Sequence, residues 1–433
     1  MKPHKRMKLY NFIAVILLFF ATQIYSEVFS EYFKIRTAEI YTQNHSDSMI
    51  AIKDSGWNRI FDIYYELFRY RLKKDTDTEV LLEKIEILIE DIEDDNIEDL
   101  KMYEKDLITA FLYGSIAYIR SGEPSYSMFS PVKKARKLFQ KLSVEYNRPD
   151  SDFGTALTDI ALGMYFQDSF WIRSILGYKG NIQKGLRHLD EIAFKDCITQ
   201  TEANLFLIEY YADILQDHRR SIKYSQNLIS NHPESKYFTY LYARDLYHTG
   251  KVKESYMFLK KINDDIGKEY FGFEYSSVIY EAKCMYVSGS ADKGAEILKY
   301  AEIIHKGYLT EKFRNEWLFS VRSRQEIIYR PENFSGDNFD LSDDELERKA
   351  AIYFDHGYFR ETARAVSNIK NRNPESYLLD LRAAVNMSDF EKADKIVRYM
   401  EDNSSSYFKK HKDALRISIL NNIINNYLET ANE

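Results

Sequence analysis

The sequence predicts an all-α protein built as a solenoid of stacked helix–turn–helix units. Three observations carry that expectation. Self-similar blocks recur about 34 residues apart, the spacing of a two-helix repeat. Within each block the apolar residues fall at helical spacing on one face. Only 7 Pro and 16 Gly punctuate 433 residues, which suits long helices joined by short turns better than strands and hairpins.

The clearest block starts at Leu205, with Leu205, Ile208 and Ala212 on one helical face. A polar turn follows at Gln216, then a second helix with Ser221, Ser225 and Leu228 on one face. It ends at Pro233, which cannot continue a helix. The same positions return as Leu246, Ser255, Leu259 and Ile262, with Gly250 as the turn. A third block holds Ala282, Met285, Gly289, Gly294, Leu298 and Ala301. A fourth holds Ala350, Tyr353, Gly357, Thr362, Val366, Ile369 and Pro374, and a fifth Leu381, Ala384, Ser388, Ala393, Val397 and Met400. In each, a small residue sits where helix A meets helix B, so the two can approach closely. Five residues earlier stands a Gly or Ser turn, and glycine there accepts positive φ without Cβ strain.

An expanded block runs from Asp152 to Ile192. Its first helix spans 153–165, an aromatic insert with Trp171 occupies 166–178, and Gly180 leads into Gly185-Leu186. Before the array, Trp57, Ile60, Phe61, Tyr64 and Phe68 form one helical stripe, and Leu81, Ile85, Leu88 and Ile92 a second. After it, Leu415, Ile419, Ile423 and Tyr427 form a stripe, with Asn421, Asn422, Asn425 and Asn426 expected outside it. That pattern predicts a polar-backed helix capping an open array. The segment 330–340 is the linker candidate, and Ser342 with Glu345 predicts a capping box.

The blocks together resemble the tetratricopeptide repeat, over about residues 107–403. The lack of tryptophan at the family's usual position on the first helix is a departure. The Tyr165, Trp171, Gly180, Gly185-Leu186 stretch also resembles one in exported bacterial tetratricopeptide proteins without assigned function, and more distantly the eukaryotic tetratricopeptide repeat protein 39 family. The resemblance implies a right-handed α-solenoid, with 27–106 as N-terminal helical cap, repeats over 107–329, a linker at 330–345, further repeats over 346–403 and a capping helix over 404–433. It also implies that the A helices line a concave face that binds partners. On that phase the exposed inner positions are Phe206, Tyr210, Asp213, Tyr237, Tyr240, Arg244, Tyr247, Lys283, Tyr286 and Phe354. Rings there would supply contact area, and the cations would grip carboxylates or backbone carbonyls. The competing reading is that these tyrosines simply pack between A helices.

The N-terminus reads as an address. Lys2, Lys5, Arg6 and Lys8 precede the apolar run 12–21 and a short polar stretch to Ser26. The run is shorter than the roughly 20 residues that span a bilayer, and it matches a secretory segment cleaved after Ser26. Retention as an N-terminal membrane anchor is the alternative, because 9–24 could just cross a thin membrane. The expected location is therefore the periplasm or cell envelope. Cys197 and Cys284 lie in blocks that should not be neighbours, so two free, mostly buried thiols are expected rather than a disulfide, whose Cα atoms must lie within about 7 Å.

The net charge of −7, with 60 basic residues spread among 67 acidic ones, gives no footprint for nucleic acid. The acidic run at 92–106 reads as a solvated helix end. Gly180 and Gly185 have phosphate-loop spacing, but Leu186-Arg187 replaces the Lys-Ser/Thr pair that would hold phosphate and magnesium. Asp337, Asp340, Asp343 and Asp344 lack the glycine and the final acid of a calcium loop. The histidines lack metal-ligand spacing. Glu375-Ser376 and Glu254-Ser255 recur on repeat helices, without the globular unit that a glycan-cleaving site requires. The sequence thus points to a non-enzymatic scaffold without cofactor or metal, binding a protein or peptide. An envelope glycan or lipid is the alternative ligand, and an unrecognised enzyme the remote one.

Overall fold

The computed structural model describes residues 59–431 apart from 61, 65, 68–69, 71–76, 98–99, 121–128, 147–148, 166–179, 198, 265–271, 291, 298–340, 356 and 411–413. The export segment 1–26, the insert 166–178 and the linker 330–340 lie outside the described residues, as do Trp57, Phe61, Phe68, Leu298 and Ala301. Among the described residues every regular element is a helix.

The chain forms two compact units, residues 1–207 with 411–433, and residues 208–410. In the first, α1 (Thr78–Glu93), α2 (Met102–Arg120), α3 (Phe129–Tyr146), α4 (Pro149–Tyr165) and α5 (Ile182–Ala193) pack consecutively, α4 directly on α5. The predicted stripe Leu81, Ile85, Leu88 and Ile92 is fully buried, as are Ile60 and Tyr64. Asp77 caps α1 and Asn181 caps α5, each side-chain oxygen accepting orphan N–H groups of a first turn.

The approach of α4 and α5 depends on glycine. A Cβ at Gly185 would lie 2.5 Å from the Ala156 carbonyl oxygen, and one at Gly180 2.4 Å from that of Asp159. The Gly180–Gly185 pair that imitates a phosphate loop is therefore a helix contact.

The last helix corrects an expectation. Instead of capping the fifth block, α15 (Ala414–Ala431) returns to the first unit and packs on α4 and α5. Asn422 and Asn426 are not on its outer side but buried, Asn426 completely. The Asn422 amide donates to the Met164 carbonyl at 2.8 Å, and the Asn426 amide to that of Gly180 at 3.0 Å. The Ile182 N–H donates to Asn426 Oδ1 at 3.1 Å. The physical reason is that the break between α4 and α5 leaves backbone groups without helical partners. Asparagine carries both a donor and an acceptor to satisfy them.

Helix α6 (Gln200–Ile208) runs into a π-helix at Glu209–Ile214. The second unit then holds α7 (His218–Asn231), α8 (Lys236–His248), α9 (Val252–Asp264), α10 (Gly272–Val287), α11 (Asp343–Asp355), α12 (Phe359–Ser367), α13 (Pro374–Asn386) and α14 (Phe390–Lys410). Sequence neighbours pack from α7 to α10 and from α11 to α14, and so do the first helices of successive blocks, α8 on α10 and α11 on α13. The expected capping box forms before α11. The Ser342 N–H donates to Glu345 Oε2 at 2.9 Å, and the Glu345 N–H to Ser342 Oγ at 3.4 Å.

The turns repeat in geometry as well as in sequence. Gln216, Gly250, Gly289, Gly357 and Ser388 all have positive φ, between 58° and 85°. The N–H after each reaches back into the preceding helix, as Lys251 to Leu246, Ser290 to Met285, Tyr358 to Tyr353 and Asp389 to Ala384, at 2.8–2.9 Å. This is the Schellman closure of a helix end. In the first block the bond runs one residue further, from the Asp217 N–H to the Tyr211 carbonyl. The π-helix there accommodates the extra residue. The small residues after the turns, Ser221, Ser255, Thr362 and Ala393, are all fully buried, as the close approach of A to B requires.

Candidate functional site

The inner face of the A helices was expected to be open, and most of it is not. Phe206, Tyr210, Tyr240, Arg244, Tyr247 and Phe354 are all buried, none more than 8% exposed. Tyr237 and Lys283 are half-buried, and Asp213 is exposed. The side chain of Tyr286 lies outside the described residues. For Tyr240, Arg244 and Tyr247 the cause of the correction is the direct packing of α8 on α10. Rings that would line a groove instead fill the seam between the helices. Tyr280, which sequence reasoning missed, is the centre of that seam. Its ring lies 6.2 Å from Tyr240, 5.4 Å from Tyr247 and 5.6 Å from His248, all edge to face. The Lys283 ammonium sits 4.5 Å above the Tyr280 ring and 5.9 Å from that of Tyr247. Burial pushes the hydroxyls of Tyr240 and Tyr280 above the ordinary phenol value.

At the rim of this seam Arg244 Nη1 donates to Asp213 Oδ1 at 2.8 Å. Its Nε lies 3.8 Å from Asp245 Oδ1, and neither Nε nor Nη2 has a hydrogen-bond partner among the described residues. Burial opposes the guanidinium charge, but Asp213 and Asp245 outweigh it.

Below the rim lies a polar hub that the sequence reading did not anticipate. Asp245, fully buried, faces His218 Nδ1 at 2.8 Å and accepts from Ser221 Oγ at 2.8 Å and Ser225 Oγ at 2.7 Å. Burial raises the Asp245 carboxyl, but the His218 bond and the Arg244 charge overcome that and hold it below the usual carboxylate value. The His218 ring stacks on His248 at 3.9 Å between centroids, nearly parallel. His248 in turn contacts the Asp355 carbonyl through Nδ1 at 3.1 Å and the Tyr280 hydroxyl through Nε2 at 2.9 Å. Burial, then the neighbouring His248, hold the His218 imidazole neutral, its pKa pushed down to about 3. A signal was available. Asp245 lies between Arg244 and Leu246 in a helix rich in aromatic residues, and a carboxylate buried there must be satisfied internally.

Serine, histidine and aspartate are thus close together, yet not in the order nucleophilic catalysis needs. Both serine hydroxyls donate to Asp245, and neither contacts His218. Among the described residues no group of three or more His, Cys, Asp or Glu side chains is placed to hold a metal ion. Cys197 and Cys284 are free, as expected, and Cys284 is buried beside the Ser255 hydroxyl.

Compared with known proteins, the chain matches no family model and no curated sequence.

Proposed function

We propose that the chain is a non-enzymatic scaffold of the cell envelope that binds protein or peptide partners. On this reading the helix pairs form a right-handed tetratricopeptide-like α-solenoid, and the rim of its A-helix face holds the partner. The four Schellman turns, the related turn at Gln216 and the buried small residues after them support the repeat architecture. One observation carries the binding reading. Exposed Asp213, held by a bond from buried Arg244, shares a rim with half-buried Tyr237 and Lys283. Donors held in fixed positions beside aromatic area suit backbone carbonyls and carboxylates of an extended chain. The buried rings supply support for that rim and not contact area.

Because Tyr240 and Tyr247 are core residues, the informative substitutions are at the rim. A displayed random peptide library is selected on the wild-type chain and on Asp213→Lys/Lys283→Glu, with helical content checked by circular dichroism. The expected result is a peptide class enriched on the wild type that binds the folded variant at least tenfold more weakly. Equal binding to both would remove the rim from the reading. No enriched peptide, with retention on peptidoglycan or anionic vesicles instead, would replace the peptide by a glycan or lipid.

A further inference from the structure

The second unit is joined to itself by polar contacts between turns distant in sequence. The Arg220 Nη2 donates to the Asn386 carbonyl at 2.9 Å, and the Asn386 amide to that of Leu215 at 2.7 Å. The Arg219 guanidinium lies 4.3 Å above the Tyr358 ring. His248, at the C-terminal end of α8, reaches the end of α11 through the Asp355 carbonyl, with the Asp355 carboxylate 3.4 Å away. These contacts link the helices before the linker to those after it.

We propose that the stacked pair His218–His248 is an acid-sensitive latch: it holds the α8 turn to the end of α11 at neutral pH and releases it as His218 takes up a proton. The geometry gives a charge on His218 little room. His248 is held between the Tyr280 hydroxyl and Asp355. A proton on His218 would place a charge inside a buried stack, its ring 3.9 Å from that of His248. The charged groups around His218 do not relieve that. Asp217, Arg219 and Arg220 lie on its own helix, where Asp217 already pairs with Arg220. Asp245 faces it from α8, but it already accepts from two serines and neighbours Arg244. Lys283 on α10 adds a further positive charge over Tyr280.

The sign follows from linkage. An exposed histidine takes up a proton near pH 6.5, whereas His218 in the closed latch does so only near 3. Its contribution is complete above pH 6.5 and declines as pH falls from there toward 3. At pH 5.0 one such site shifts the closed-to-open ratio by about thirtyfold.

The test is hydrogen–deuterium exchange on the full chain at pH 7.5 and 5.0, corrected for the intrinsic rate. Protection of the turn after α8 and of the end of α11 is expected to fall about thirtyfold on acidification, with α2 unchanged. His218→Asn keeps an N–H donor toward Asp245 without a titrating ring, and His218→Phe keeps the stack. In either variant that folds at pH 7.5, the fall should shrink to less than about threefold. Unchanged wild-type protection at pH 5.0 overturns the latch. So does an equal loss in α2, or a variant that loses as much as the wild type. If neither variant folds, the wild-type comparison decides.

Discussion

The most exacting test of the architecture is Asn426→Ala. This side chain is fully buried and joins α15 to the break between α4 and α5 through two bonds, one accepted from Ile182 N–H and one donated to the Gly180 carbonyl. Alanine removes both partners without offering a substitute. The Ile182 N–H is one of the orphan donors of α5's first turn, and the shape of the site leaves it away from water. Leaving a buried backbone group without its partner costs about 1–3 kcal/mol, so two such groups cost about 2–4 kcal/mol allowing for partial relaxation. The gain in helix propensity from Asn to Ala offsets at most about 0.7 kcal/mol of this. Because the chain has two units, a single melting curve need not be two-state. The assay is therefore hydrogen–deuterium exchange in α4 and α5, where 2–4 kcal/mol reads as roughly a thirty- to thousandfold loss of protection. Asn425→Ala, half-buried on the neighbouring position, should change protection by less than about 0.5 kcal/mol. Equal, small effects from both substitutions would refute the reasoning and detach α15 from the first unit.

Two other predictions concern single side chains. Gly185→Ala should destabilise the α4–α5 pair by about 2 kcal/mol despite alanine's propensity, because its Cβ would meet the Ala156 carbonyl at 2.5 Å. Gly250→Asn, with open space around its Cβ and φ of +85°, should cost less than about 1 kcal/mol, since asparagine tolerates that backbone; chemical denaturation followed by exchange measures both. The thiols of Cys197 and Cys284 are pushed up to about 12 by burial, so iodoacetamide at pH 8 should label neither in the native chain and both in denaturant. Fast native labelling of Cys284 would contradict its burial.

How much was legible in the sequence follows from which forces act locally. The repeat phase was, because a turn and a small residue five positions on answer to backbone geometry within one hairpin. Gly250, Gly289, Gly357 and Ser388 take the left-handed conformation, and Ser221, Ser255, Thr362 and Ala393 disappear into the helix contact. The capping box at Ser342 and Glu345 was legible for the same reason. The destination of α15 was not. An asparagine-rich face reads as solvated unless one knows that the end of α4 and the start of α5, more than 200 residues away in sequence, present backbone groups to be met.

The site was misread through a related gap. Helical spacing says which residues share a face, but not how closely the next helix lies against that face. Tyr240, Arg244 and Tyr247 do share one, and their burial is set by α10, whose Tyr280 fills the space between them. Once that seam is closed, the polar groups within it must satisfy one another. Asp245 therefore gathers His218, Ser221 and Ser225, and His248 finds Asp355 and Tyr280. The same closure that removes a tyrosine groove leaves Asp213, Tyr237 and Lys283 at the edge and Arg244 incompletely paired behind them. On the proposed reading, specificity comes from few charged groups held at the rim rather than from ring area. Changes at the rim should therefore alter binding without unfolding, and changes in the seam should unfold before they alter binding.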